Sequence, residues 1–181
     1  MNIVVYLGST SGNNKHFEEA AVALGTWIGK SGNTLVYGGA DRGLMGTLAD
    51  AVLAAGGEVI GVLPDIQRIL DRKHKNLTKC FETASMAERK AKMIELADAF
   101  VALPGGIGTI DEITDVLSLA SLDVISCPIV LYNTDGYYEP FRTLIRNIID
   151  NGLGRKEYFE SALFSDDIEE IAAFLTAKKS V

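Results

Sequence analysis

The stretch AFVALPGGIGTIDE, from Ala99 to Glu112, decides the fold because a short apolar run leads into a glycine-rich turn and then into a helical pattern. An apolar run without polar alternation is typical of a strand buried on both faces of a parallel sheet. In such sheets the ligand crevice lies outside the carboxyl ends of the strands, where helices begin. The stretch therefore predicts an α/β fold with a candidate binding site at its glycines.

Similar apolar runs recur along the chain, separated by helical patterns of roughly 10 to 17 residues. The order is therefore βαβα, which predicts a doubly wound parallel sheet with right-handed crossovers and helices on both faces. A chain of 181 residues suits one core, so we predict a single domain over residues 1–181. The predicted strands are Ile3–Leu7, Thr34–Tyr37, Glu58–Leu63, Ala99–Leu103 and Pro128–Tyr132.

The charge balance excludes some classes of partner. The formal net charge is -7 at pH 7, whereas binding a nucleic acid through its phosphates needs a basic surface. No apolar run approaches the ~18 residues of a membrane span. Cys80 and Cys127 have no CxxC spacing, which favours free thiols in the cytoplasm over a disulfide or zinc site. The start, MNIVVYLGST, predicts a first strand and not a signal peptide.

Two glycine patterns come close to known nucleotide motifs without matching them. The segment Gly25–Ser31 has three residues between its glycines where a P-loop has four, and it lies at the end of a helical pattern that begins near Lys15. Gly32 as a helix C-cap explains that segment better. After Gly106-x-Gly108, Asp111 occupies the place of the third glycine of a dinucleotide fingerprint. Neither an ATPase nor a nicotinamide enzyme is predicted.

Two further segments have local signals. The irregular polar segment Asp65–Phe81 carries Lys73, His74, Lys75 and Lys79, and it fits either a solvated charge run or a mobile loop that covers a site. The segment Ser165–Ala177 has apolar residues at helical spacing, with Ser165 as the predicted N-cap.

The glycines that follow Leu103 support two interpretations. They allow successive backbone N–H groups to point at one place, which favours a phosphate at the start of the next helix. However, Thr109-x-x-Glu112 also matches a capping box, in which both side chains only satisfy free N–H groups. These residues alone leave the choice open.

A second predicted helix favours a site. Ser85-Met-Ala-Glu88 matches a capping box and starts a helix with an apolar face. Arg89 and Lys90 fall on or beside that face, where a cation is costly unless it reaches solvent or meets an anion. Because this helix leads into the strand Ala99–Leu103, both cations are expected near the glycine loop and Glu112.

The pairing of Met86-x-Glu-Arg-Lys-Ala91 with Pro104-Gly-Gly-x-Gly-Thr-x-x-Glu112 resembles the LOG family of cytokinin riboside 5'-monophosphate phosphoribohydrolases. The resemblance implies a Rossmann-like fold, a homodimer, and hydrolysis of the N-glycosidic bond of an adenine-type nucleoside 5'-monophosphate to free base and ribose 5-phosphate. It also extends to the segments Gly8–Gly12, Leu35–Gly46, Gly56–Pro64 and Asp135–Tyr138.

The resemblance also implies roles for particular residues. Glu112 would stabilise an oxocarbenium-like state at C1' and activate water, and Arg89 would orient the substrate and stabilise developing negative charge. No metal or organic cofactor is implied. The residues implied or proposed for substrate binding are Gly105, Gly106, Ile107, Gly108 and Thr109 for the 5'-phosphate, with Lys90, Gly8, Ser9 and Asp71 as further candidates.

Three departures from the family pattern leave the base preference open between AMP and a cytokinin ribotide. They are Ala87 in place of a common His, Leu119-Ala-Ser121 in place of a Trp-Ala-Gln type segment, and Ala40 in place of a third glycine. Because a fold alone does not determine function, a non-catalytic nucleotide-binding or carrier protein is the alternative.

Overall fold

The computed structural model describes residues 1–157 and 162–177. All the strands it describes form one parallel sheet. These strands are β1 Asn2–Tyr6, β2 Thr34–Tyr37, β3 Glu58–Pro64, β4 Lys79–Thr83, β5 Ala99–Ala102, β6 Ile129–Tyr132 and β7 Ala162–Ser165. Their order across the sheet is β4-β3-β2-β1-β5-β6-β7.

Helices follow the strands in sequence. They are α1 Lys15–Lys30, α2 Gly43–Ala54, α3 Gln67–Leu70, α4 Met86–Leu96, α5 Ile107–Ser121, α6 Glu139–Asp150 and α7 Ile168–Ala177, with a 3₁₀ turn at Thr134–Gly136. Within the described ranges, no helix combines the length and the apolarity that crossing a membrane requires.

The core has two layers because successive side chains of a strand point to opposite faces. Ile3 and Val5 of β1 pack on one face with α1, α2 and α7, while Val4 and Tyr6 pack on the other with α4, α5 and α6. The inner strands are buried on both faces, which explains their continuous apolar sequences. The predicted doubly wound fold is confirmed.

The order in which the chain adds strands to the sheet reverses beside β1. The chain builds β1 to β4 outward on one side, then crosses back to place β5 against the other side of β1. Ligands of such sheets bind at this switch point. The loops that follow β1 and β5 meet there, and the Gly8 N–H donates to the Pro104 carbonyl at 3.1 Å.

The five predicted strands are confirmed, and two edge strands were missed. The segment Asp65–Phe81 is neither a plain charge run nor an irregular loop, because it contains α3 and the start of β4. Ser165 was wrong as the N-cap of α7, since it is the last residue of β7. Asp167 takes that role, and its Oδ1 accepts from the Glu169 N–H at 2.8 Å.

The glycines of the near-P-loop pack α1 closely against α2. A Cβ at Gly25 would lie 2.7 Å from the Leu48 carbonyl oxygen, and one at Gly29 would lie 2.6 Å from Ala55 Cβ. Gly32 follows the end of α1 with a φ of +64°, which confirms the C-cap prediction. These glycines therefore have a structural function.

Candidate active site

A cavity of about 460 Å³ opens at the carboxyl edge of the sheet, around the switch point. The loops that follow β1, β2 and β5, the segment around α3, and the first turns of α4 and α5 contribute to it. It is lined by Leu7, Gly8, Ser9, Gly38, Ala40, Met45, Arg68, Ile69, Arg72, Met86, Arg89, Gly106, Gly108, Thr109, Asp111 and Glu112.

An ion pair between Arg89 and Glu112 lies at the base of this cavity. Arg89 Nη1 donates to Glu112 Oε1 at 2.5 Å, and Arg89 Nε donates to the Val62 carbonyl of β3 at 3.1 Å. Each residue exposes only 6% of its surface. Such burial is costly for charged groups unless they are paired and hydrogen-bonded, as these are.

The capping of α4 determines where Arg89 lies. The Ser85 hydroxyl accepts from the Glu88 N–H at 3.2 Å, and the Glu88 carboxylate accepts from the Ala84 N–H at 3.0 Å. This reciprocal arrangement confirms that Ser85 and Glu88 cap the helix, although the carboxylate reaches one residue further back than in a standard capping box. The helix therefore starts at Met86, and Arg89 occupies its first turn, directed inward.

Gly38, at the end of β2, provides the space that the Arg89 guanidinium occupies. A Cβ at this position would lie 2.4 Å from Arg89 Nη2. Any larger residue would therefore displace the guanidinium or the loop. Sequence reasoning missed this role, although the Gly38-Gly39 pair after a predicted strand was a usable signal.

Burial raises the pKa of the Glu112 carboxyl above its ordinary value of 4.5. The charge and the hydrogen bond of Arg89 oppose this shift, and the nearby Asp111 adds to it. A carboxylate with a raised pKa is a better proton acceptor than an exposed one. Glu112 thus has the environment of a general base.

The capping-box interpretation of Thr109 and Glu112 is wrong. Helix α5 begins at Ile107, with Gly106 as N-cap and no side-chain cap. Thr109 therefore lies inside the first turn, buried, and its hydroxyl packs close to Gly105, where a Cβ would lie 2.1 Å away. Glu112 lies further along the helix and binds Arg89. The Thr109 N–H donates to the Gly106 carbonyl at 3.0 Å. The glycine loop ends earlier than the motif suggests, so the N–H groups of Ile107 and Gly108 at the start of α5 are available to a ligand.

Two tyrosines of the 135–138 segment hold the glycine loop. The Tyr137 hydroxyl donates to the Gly105 carbonyl at 2.5 Å, and the Tyr138 hydroxyl donates to the Leu103 carbonyl at 2.7 Å. In a trans peptide the C=O and the next N–H point in opposite directions. The bond from Tyr137 therefore turns the Gly106 N–H away from the tyrosine.

The predicted binding residues fall into two groups. Gly8, Ser9, Gly106, Gly108 and Thr109 line the cavity together. Gly105 lies behind them, beneath the Tyr137 hydroxyl, and Ile107 exposes 85% of its surface at the start of α5.

Lys90 and Asp71 do not line the cavity. Lys90 Nζ contacts Asp115 at 2.6 Å and Asp111 at 3.1 Å, and its hydrogen bonds to these two carboxylates raise its pKa. The Asp71 carboxylate accepts from the Gln67 side-chain amide at 2.7 Å. Both side chains therefore make local contacts on the surface.

Arg68 and Arg72 are among the cavity residues that the sequence analysis did not predict. Both come from the polar segment 65–81, in which the lysines, His74 and Asp71 were considered instead. Helix α3 has only four residues and Arg72 lies beyond its end, so no helical period in the sequence marked the pair. The described part of the chain contains no group of three His, Cys, Asp or Glu residues arranged to hold a metal ion.

Comparison with known proteins identifies relatives of this chain. Residues 45–175 match a family model described as possible lysine decarboxylase. The chain is 38% identical over 169 residues to the cytokinin riboside 5'-monophosphate phosphoribohydrolase of Rhodococcoides fascians, covering 93% of this chain and 85% of that protein. It is 40% identical over 150 residues to a probable enzyme of the same name from Oryza sativa subsp. japonica, covering 83% of this chain and 66% of that protein.

A solved structure shares the fold over its whole length. The Moco Carrier Protein from Chlamydomonas reinhardtii matches with a TM-score of 0.72 and 26% sequence identity, covering 98% of each chain. The same architecture therefore occurs in proteins named for catalysis and in one named for carrying a cofactor.

Proposed function

Because this chain belongs to the LOG family of phosphoribohydrolases, we propose that it hydrolyses the N-glycosidic bond of an adenine-type nucleoside 5'-monophosphate. The products are the free base and ribose 5-phosphate. The observation that carries the proposal is the buried Arg89–Glu112 pair, which lies in one cavity with the glycine loop at the start of α5. We further propose that the protein is cytoplasmic and homodimeric.

The 5'-phosphate binds at the N-terminus of α5. Backbone N–H groups from Gly106 to Gly108 carry partial positive charge there, with the buried Thr109 hydroxyl beside them, and Gly8 and Ser9 form the opposite wall. A phosphate fixed at this point positions the ribose, since binding energy from a remote group is used to orient the reacting atoms.

Glu112 acts at C1' of the ribose. Its Oε1 is engaged by Arg89, which leaves Oε2 to accept a proton from water. As the C1'–N bond breaks, its electron pair leaves with the base, and the carboxylate stabilises the cationic sugar. Water then forms the C1'–O bond, and its proton reaches the departing base by way of Glu112.

Arg89 keeps Glu112 in position and ionised. Its two hydrogen bonds, to β3 and to Glu112, fix the guanidinium between the sheet and α5. The remaining donors of the planar fork are available to orient the substrate and to stabilise developing negative charge. One side chain thus serves both the carboxylate and the ligand.

The cavity does not suit decarboxylation of lysine. That reaction needs pyridoxal phosphate on a lysine whose amine is neutral and reaches the site. Lys90 is held by two carboxylates that raise its pKa, and no lysine lies among the residues that line the cavity.

A non-catalytic carrier is the second candidate function. It is favoured by the full-length match to a solved structure named as a molybdenum cofactor carrier. A carrier would bind its ligand without turnover, so it needs no buried carboxylate beside the bond that breaks. The Arg89–Glu112 pair favours the enzyme.

The test is the release of ribose 5-phosphate from a panel of nucleotides, including AMP and a cytokinin ribotide, by the parent protein and by Glu112→Gln. We expect turnover by the parent and a loss of at least about 100-fold in kcat for the variant, with binding retained. Binding of nucleotides by the parent without any release of base would instead favour the carrier.

Arg89→Lys separates charge from geometry. Lysine keeps the positive charge but loses the fork that contacts Val62 and Glu112 together. We expect kcat to fall about 10-fold or more while the KM for AMP changes less. A weaker affinity with unchanged kcat would mean that Arg89 only binds substrate.

A further inference from the structure

Two arginines line the cavity without taking part in the proposed chemistry. Arg68 belongs to α3, and Arg72 lies just beyond the end of that helix. A spacing of four residues places two side chains on the same side of a helical turn. Both face the cavity from the segment that follows β3.

No carboxylate of the described ranges neutralises either guanidinium by an ion pair. Asp71, the acid between them, binds the side-chain amide of Gln67. By contrast, Lys90 has two acidic partners. Arg68 and Arg72 are also exposed. Two unpaired cations at one cavity, in a chain with a net charge of -7, are therefore available to an anion there.

The backbone that carries these arginines is anchored to the loop after β2. The Asp41 N–H donates to the Arg72 carbonyl at 2.8 Å, and the His74 N–H donates to the Gly39 carbonyl at 2.8 Å. The His74 ring is 5% exposed, and its Nε2 lies 3.2 Å from Asp50 Oδ1. The arginines are therefore presented from a fixed segment.

The segment that carries these cations follows β3, whereas the glycine loop follows β5. Three strand spacings separate β3 from β5, which amounts to about 14 Å. A nucleotide whose 5'-phosphate binds at the start of α5 extends its base toward β3, past the Arg89–Glu112 pair. The arginines therefore face the base and not the phosphate.

We infer that Arg68 and Arg72 bind a carboxylate carried by the base, so that the substrate is a nucleoside 5'-monophosphate with an acidic substituent on its purine. This inference rests on the proposed function. Guanidinium forks bind planar carboxylates through paired hydrogen bonds. An isoprenoid substituent at the same place would offer neither guanidinium a hydrogen-bond acceptor.

The experiment compares three nucleotides that differ only at N6 of the adenine: AMP, its N6-(1,2-dicarboxyethyl) derivative and its N6-isopentenyl derivative. For the parent protein we expect kcat/KM to be highest for the dicarboxyethyl nucleotide, by about tenfold over the other two. In Arg68→Gln/Arg72→Gln, the ratio of dicarboxyethyl nucleotide to AMP is expected to fall about tenfold. The matched control, Arg155→Gln/Lys156→Gln, removes two cations that do not line the cavity.

Several outcomes would overturn the inference. They are a preference of the parent for the isopentenyl nucleotide, an equal loss in both double variants, or a loss in the arginine variant that is as large for AMP as for the dicarboxyethyl nucleotide. If the parent protein hydrolyses none of these nucleotides, the proposed function fails. Calorimetric measurement of the affinity for the same nucleotides then tests the inference. Tighter binding of the dicarboxyethyl nucleotide that disappears in the arginine variant supports the carboxylate site, and equal binding overturns it.

Discussion

At the scale of single residues, the burial of Glu112 changes the pKa of its carboxyl and so its strength as a base. Its raised pKa comes from desolvation that Arg89 only partly offsets. The motif that contains Glu112 indicated its importance from the sequence, but the same letters also matched a helix cap. Only the position of Gly106 as the N-cap distinguishes these roles, because moving the N-cap by three residues, from Thr109 to Gly106, changes which groups lie in the first turn of the helix.

We expect the Glu112 carboxyl to titrate above 4.5, its ordinary value. A group whose pKa is raised by folding stabilises the folded state below its unfolded pKa, and this contribution is lost as pH rises through the folded pKa. Considered alone, Glu112 therefore makes the protein less stable as pH rises from the unfolded-state pKa of its carboxyl to the folded-state pKa. Carbon-13 NMR of the side-chain carboxyls, with Glu112→Gln to assign the signal, measures the midpoint. A midpoint below 4.5 would show that Arg89 dominates.

Tyr137 is a positioning residue for the glycine loop. In Tyr137→Phe the ring contacts with Phe17 and Tyr138 remain, but the donor to the Gly105 carbonyl is lost. A hydrogen bond of about 1 kcal/mol corresponds to roughly a fivefold rise in KM for AMP, with kcat less affected. The matched control, Tyr132→Phe, removes a hydroxyl that makes no hydrogen bond to the glycine loop. Equal effects of the two variants would contradict a specific role for Tyr137.

At the scale of elements, prediction succeeded where burial on both faces leaves a continuous apolar run. The strands β1, β2, β3, β5 and β6 show that pattern, whereas the edge strand β4, KCFET, has only two adjacent apolar residues between polar ones. An edge strand has a neighbour on one side only, so its sequence is less constrained. Helix α3 has only four residues, too few for a helical period, and this explains why Arg68 and Arg72 were missed.

The contact between α1 and α2 depends on glycine. In Gly29→Ala the new methyl would lie 2.6 Å from Ala55 Cβ and 2.7 Å from the Val52 carbonyl oxygen. Overpacking of this kind costs about 1–3 kcal/mol, which outweighs the gain of up to about 1 kcal/mol in helix propensity. We therefore expect a lower free energy of unfolding, measured in urea.

Gly108→Ala is the matched control for that stability measurement. Gly108 is also helical, but a Cβ there would meet no atom within 4 Å. Its free energy of unfolding should stay equal or rise by up to about 1 kcal/mol. Equal destabilisation of both variants would show that close packing of α1 on α2 is not the cause.

At the scale of the whole molecule, the strand order explains why distant motifs converge. The motif at Met86–Ala91 and the glycine loop at Pro104–Gly108 flank β5, and the reversal beside β1 brings both against the loops after β1 and β2. The alternation of strands and helices predicted this convergence from the sequence. The pairing of Arg89 with Glu112 was not predictable, because it depends on side-chain packing across the sheet edge.

The homodimer is the prediction that concerns the whole molecule. Large apolar side chains are exposed at and beyond the end of α5, with Leu122 at 64% and Val124 at 63%, and apolar surface of this kind is enriched where subunits meet. Size-exclusion chromatography with light scattering should give a molecular mass of twice the 19.5 kDa of the chain. We expect Leu122→Glu/Val124→Glu to lower that mass at micromolar concentration, because two buried charges oppose association. A control pair on α1, Lys15→Glu/Lys30→Glu, should leave the mass unchanged, and a monomeric parent protein would contradict the prediction.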